Sequence, residues 1–112
     1  MADDVKSHSE SSKNIDETLL LVSGSKGEKS KDDHKEYVKK LANAILQVFS
    51  KHGEAHLRCV GAASLNNAVK ACIIAKGEAK KKNENILFDF SFTTVQIQGE
   101  DKTGIIVAVV SE

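Results

Sequence analysis

The sequence predicts a two-layer α/β domain with a mixed sheet and two crossover helices, in the order β-α-β-α-β-β. Three observations carry this prediction. Two stretches repeat apolar residues with the 3.6-residue helical period. Each follows a short apolar run of strand character. The chain then ends in two longer strand-like runs with only a short polar turn between them, the pattern of a hairpin.

Residues 1–16, "MADDVKSHSESSKNID", hold Ser, Asp, Glu and Lys with no apolar period. Such composition cannot offset the entropy of ordering, so this stretch reads as a disordered tail and 17–112 as the domain. "ETLLLVSG" (17–24) is a first strand closed by glycine, and "SKGEKSKDD" (25–33) is a polar loop with three lysines. From His34 to His52 the apolar set Val38, Leu41, Ala42, Ile45, Val48 and Phe49 opposes Lys39, Lys40, Asn43, Gln47 and Lys51. That is an amphipathic helix, with Asp32 or Asp33 as N-cap and Gly53 as its stop.

"AHLRCVG" (55–61) is a second strand, and residues 64–76 form a second helix that Gly77 ends. Here the apolar sector Leu65, Ala68, Val69, Cys72, Ile73 and Ala75, widened by Ala71 and Ile74, leaves only Asn66, Asn67 and Lys70 polar. A helix this apolar is expected to be covered on more than one side, which points to self-association through it, the last strand, or both. "GEAKKKNEN" (77–85) reads as a charged loop. In "ILFDFSFTTVQIQ" (86–98) the apolar parity changes from Phe88, Phe90 and Phe92 to Val95 and Ile97, which predicts a bulge near Thr93–Thr94. The three phenylalanines are expected in the core, because the chain has only 4 and no tryptophan. After the turn "GEDK" (99–102), the unbroken run "TGIIVAVVS" (103–111) reads as a last strand covered on both faces.

Charge and cysteine usage narrow the function classes. The net charge is zero, but Asp3, Asp4, Glu10, Asp16 and Glu17 against Lys6 and Lys13 leave residues 1–17 at −3 and the rest at +3. Cys59 and Cys72 lack metal-site spacing and sit in apolar runs, where a thiol acts as a small buried hydrophobe. No signal peptide or membrane span is visible, so the expected location is cytoplasmic, or nuclear in an organism with a nucleus. The four histidines show no metal-binding spacing; His52 and His56 flank one loop. No nucleophile elbow or carboxylate pair is present, and the expectation is a non-enzyme without cofactor or metal.

Lys26, Lys29 and Lys31 precede a helix N-terminus and suit phosphate contacts as point charges. Gly61, Ala62 and Ala63 leave the start of the second helix unobstructed, with Asn66, Asn67 and Lys70 following. The stretch "VGAASLNNAVKACIIAKG" (60–77) resembles the signature of the stage V sporulation protein S family, roughly "IGAGALNQAVKAVAIARG". The resemblance extends through "LLLVSGSK", "VFSKHGEAHLRCVGAAS" and "VQIQGEDKTGIIVAVV". It implies kinship with the Alba superfamily and hence a homodimer that binds DNA or RNA in a regulatory role such as sporulation or development. Lys26, Lys29, Lys31, Lys39, Lys40, Asn66, Asn67 and Lys70 are the expected nucleic-acid contacts. Alba proteins carry arginines where Gly61, Ala62 and Ala63 stand here. A protein-interaction module of the same fold is therefore the competing expectation, and small-anion binding at Gly61–Ser64 a third.

Overall fold

The computed structural model describes residues 17–24 and 31–112, with Lys31 by its backbone only. Its elements are β1 (Leu19–Leu21), α1 (Lys31–His52), β2 (Glu54–Cys59), α2 (Ala62–Lys81), β3 (Ile86–Ile97) and β4 (Glu100–Ser111). The sheet order is β1-β2-β4-β3. β1 and β2 are parallel neighbours, whereas β4 pairs antiparallel with both β2 and β3. The first three strands thus point one way, and β4 returns between the second and third. The order and the mixed sheet are those the sequence predicts.

Both helices pack on one face of the sheet. Ala55, Leu57 and Cys59 of β2 stand opposite Val109, Val107 and Ile105 of β4, and all join the core with Val38, Leu41, Ala42, Ile45 and Phe49 of α1. The opposite face, with His56, Arg58, Ile106, Ala108 and Val110, is half-buried rather than covered. β4 is continuously apolar because it is the central strand, not because a second layer lies over it.

Several boundaries move for identifiable reasons. α1 starts at Lys31, so Asp32 and Asp33 lie within its first turn, where carboxylates complement the positive end of the helix dipole. Gly53, at φ 82°, ends α1 and donates its N–H to the Phe49 carbonyl at 2.7 Å. α2 runs past Gly77 to Lys81, because Ala79 continues the buried row of Ala68, Ala71, Cys72 and Ala75. That packing outweighs the cost of about 1 kcal/mol for a helical glycine. The charged stretch 77–85 is therefore mostly helix, and the helix stops at Lys82–Asn83, where Asn83 takes φ 63°.

The β3–β4 register runs unbroken from Ile86↔Ser111 to Ile97↔Glu100, so the expected bulge at Thr93–Thr94 is absent. The turn is Gln98–Gly99, with φ 54° and 80°; two positive φ values match the right-handed twist of the strands. Phe88 packs on the core, but Phe90 is 56% and Phe92 81% exposed, contrary to the expectation of three core rings. With no core against the outer half of β3, its side-chain parity is unconstrained.

Cys59 and Cys72 are buried free thiols, as the sequence predicts. Burial pushes both up, Cys72 to about 12, with Cys59 nearby adding to the shift. A thiol whose pKa is higher in the folded than in the unfolded chain destabilises the fold once the unfolded thiol ionises. Stability is expected to fall as pH rises from about 9 toward 12. Urea midpoints at pH 8, 9.5 and 11 check this: the decline should be smaller in Cys72→Ala than in the parent chain.

Candidate nucleic-acid interface

The parallel pairing of β1 and β2 brings the C-terminal ends of both strands side by side. α2 starts at one of these ends, and the loop toward α1 leaves from the other. Three contacts fasten that loop. The Val22 N–H donates to the Arg58 carbonyl at 3.1 Å. The Ser23 N–H donates to the Tyr37 hydroxyl at 2.8 Å, and the Asn67 side-chain amide donates to the Ser23 carbonyl at 2.8 Å. Gly24 sits so close to α2 that a Cβ there would lie 3.2 Å from Ala63 Cβ. Segments forty residues apart in sequence thus form one continuous lip over the start of α2.

Asn67 is 1% exposed, so it is a strut beneath this surface and not an open contact of the kind the sequence suggested. A buried amide needs a partner, and the carbonyl of Ser23 supplies one. Asn66 and Lys70, one turn apart, are exposed on the outer side of α2. Lys39 and Lys40 are exposed on α1, just beyond Tyr37. Lys26 and Lys29 lie outside the described residues. Lys31 heads α1, with its side chain likewise outside the description. Tyr37 was not among the expected site residues; its single aromatic hydroxyl on a lysine-rich helix is the only sequence cue to its role.

Gly61, at φ 93°, is the N-cap of α2, and no side chain caps that end. The Ser64 hydroxyl turns back and donates to the Val60 and Gly61 carbonyls, at 2.8 and 3.1 Å, rather than accepting from a helix N–H. Ala62 and Ala63 are exposed, so the positive end of the helix dipole faces solvent beneath the loop. This end of the domain offers backbone donors, an amide and lysines: a surface suited to an extended anion.

The other end is different. An open hollow there is lined by Phe49, Glu84, Asn85, Ser111 and Glu112, whose carboxylates repel phosphate. The expected histidine neighbourhood divides into separate pairs. His52 Nδ1 lies 3.9 Å from Glu17, whereas His56 Nδ1 is 2.9 Å from the Thr18 hydroxyl and its Nε2 is 4.0 Å from Glu54. Among the described residues no group of three or more His, Cys, Asp or Glu could hold a metal ion. No helix among them is long and apolar enough to cross a membrane.

A four-stranded mixed sheet with two helices on one face, and a lip of loop and helix start at one end, defines a small two-layer α/β domain with one polar, cation-bearing end. The family model of stage V sporulation protein S (SpoVS) matches residues 33–112, the greater part of the chain. The chain belongs to the stage V sporulation protein S family.

Proposed function

We propose that this protein is a homodimeric, sequence-tolerant nucleic-acid-binding protein acting in a regulatory role. Membership of its family implies a role related to sporulation. The observation that carries the proposal is the fastening of the lysine-bearing loop over the start of α2 through Ser23–Asn67 and Gly24–Ala63. In this reading Asn66, Lys70 and the α2 N-terminus meet one stretch of phosphate backbone, and Lys26, Lys29 and Lys31 close over it. Lys39 and Lys40 add outer contacts. Asn67 acts by holding the loop, and no residue is assigned a catalytic role. The partner is DNA or RNA bound through its backbone, without a cofactor.

The dimer expected from the sequence uses α2 and the last strand. α2 supports this with Val69, Ile73 and Ile74, which are 39%, 64% and 38% exposed on its outer side. β4 has both edges paired, so it can contribute only through its half-buried open face.

Fluorescence anisotropy with duplex DNA, single-stranded DNA and RNA at two salt concentrations tests binding. Lys70→Ala is expected to weaken binding a few-fold and to reduce the salt slope by about 0.7–0.9, one phosphate contact. The absence of binding to all three at low salt would refute the proposal. A protein-interaction module is then the reading to adopt, favoured by the exposed Phe90 and Phe92.

A further inference from the structure

The two edges of the sheet are built differently. β1 is 3 residues long, a length that by itself discourages pairing with another chain. β3 is 12 residues long, pairs only with β4, and has no bulge in its register. It has no proline or lysine, and Asp89 is its single charge. Soluble proteins guard an open edge with lysine, proline, a bulge or shortness, and β3 uses none of the four.

The side chains along that edge add to the anomaly. Phe90 stands opposite Val107 and Phe92 opposite Ile105, so both rings lie on the helix side of the sheet. Neither is covered by a helix: they are 56% and 81% exposed. The helix layer stops short of β3, leaving an apolar step beside a row of unpaired backbone groups.

We infer that β3 pairs antiparallel with β3 of a second copy, joining two four-stranded sheets into one of eight strands. This rests on the dimer part of the proposed function and places its seam on a different element from α2. A two-fold axis at Ser91 would set Phe90 against the partner's Phe92, so four rings would fill the trough between the two helix layers. It would set Asp89 opposite the partner's Thr93, about 14 Å along the strand from the partner's Asp89. The only charge of the edge thus avoids its own copy, which makes the strand self-complementary.

Area agrees with this. At about 200 Å² for each phenylalanine, the exposed parts of Phe90 and Phe92 contribute on the order of 270 Å² per copy. The paired strand and flanking side chains would bring this toward the roughly 800 Å² per partner of a stable interface. A nucleic acid stacked on these rings is disfavoured by Asp89 and by Glu100 and Asp101 at the hairpin end, where Lys102 already pairs with Glu100 at 3.2 Å.

Sedimentation equilibrium of the full chain, with Phe90→Lys/Phe92→Lys as the disrupting variant, tests this. The parent is expected to be a dimer and the variant a monomer, with the dissociation constant raised at least tenfold. Its thermal melt should remain that of a folded chain, because both sites are exposed. As a second measurement, Ser91→Cys should give a covalent dimer with a short bis-maleimide and Ile73→Cys should not, since Cys59 and Cys72 are buried. A monomeric parent overturns the inference. So does a variant that remains dimeric while Ile73→Cys cross-links, which puts the seam on α2. Weaker RNA binding by Phe92→Ala at unchanged mass also overturns it and makes the rings a stacking surface. Loss of all nucleic-acid binding in a chain that still pairs through Ser91→Cys refutes the ligand reading alone.

Discussion

Gly104→Ala is expected to destabilise the fold by about 2–3 kcal/mol, the upper part of the overpacking range. Gly104 is buried in β4 at the point where β2 ends. A Cβ there would lie 2.9 Å from the Cys59 carbonyl oxygen and 3.3 Å from both Thr93 Cγ2 and Val60 Cγ2. The oxygen belongs to the backbone of a central strand and cannot move without dislodging the β2–β4 ladder. A loss of about 10 °C or more in Tm should follow for a domain of this size. Gly77→Ala is the informative contrast. Gly77 is in the interior of α2 with nothing within 4 Å of its would-be Cβ, so alanine is expected to stabilise by about 0.5–1 kcal/mol. Thermal melts of the two variants should move in opposite directions; a Gly104→Ala melt within 2 °C of the parent would show that the strands relax around the methyl group, at about 4–8 °C per kcal/mol.

Asn67→Ala is expected to cost about 2 kcal/mol, because it removes a buried hydrogen bond and leaves a small void between α2 and the loop. Asn67→Asp should be worse, since an ionised carboxylate would be buried against the Ser23 carbonyl. The functional consequence separates this residue from the lysines. Asn67→Ala changes no charge, so the salt dependence of nucleic-acid binding should keep its slope while affinity falls at every salt concentration. Tyr37→Phe removes the second anchor of Ser23, and a double mutant with Asn67→Ala should show coupling of more than 0.5 kcal/mol, as expected for contacts that share one partner. Additive losses would mean that the two anchors act independently. Urea denaturation and anisotropy on the four proteins of the cycle give both quantities.

How legible each part was depends on the range of the interaction that decides it. The amphipathic period of α1 was visible because one continuous face meets the core, and every expected apolar position except Val48 is fully buried there. α2 was harder. Its buried row is Ala68, Ala71, Cys72, Ala75 and Ala79, small residues that permit close approach to α1, while the bulkier Val69, Ile73 and Ile74 face outward. Hydrophobicity alone ranks those positions the other way. The aromatic row of β3 misled for a related reason: alternation says which residues share a face, not how far the helices extend over it. In the candidate site, the exposed Asn66 and Lys70 were legible from the polar strip on α2. The different fate of Asn67 was not, because its partner is the Ser23 backbone, 44 residues earlier.

The sequence by itself determined the element order, the amphipathic first helix, the burial of both thiols and the family, since these follow from local periodicity and from the residues of one long motif. Tertiary structure alone decided that β4 takes the centre of the sheet, that Gly77 stays helical, that Phe90 and Phe92 are left outside the core, and that Asn67 ties the loop to α2. Each of these depends on which surface a residue meets across the fold. Neighbours in sequence set periodicity, but only packing between distant segments sets coverage.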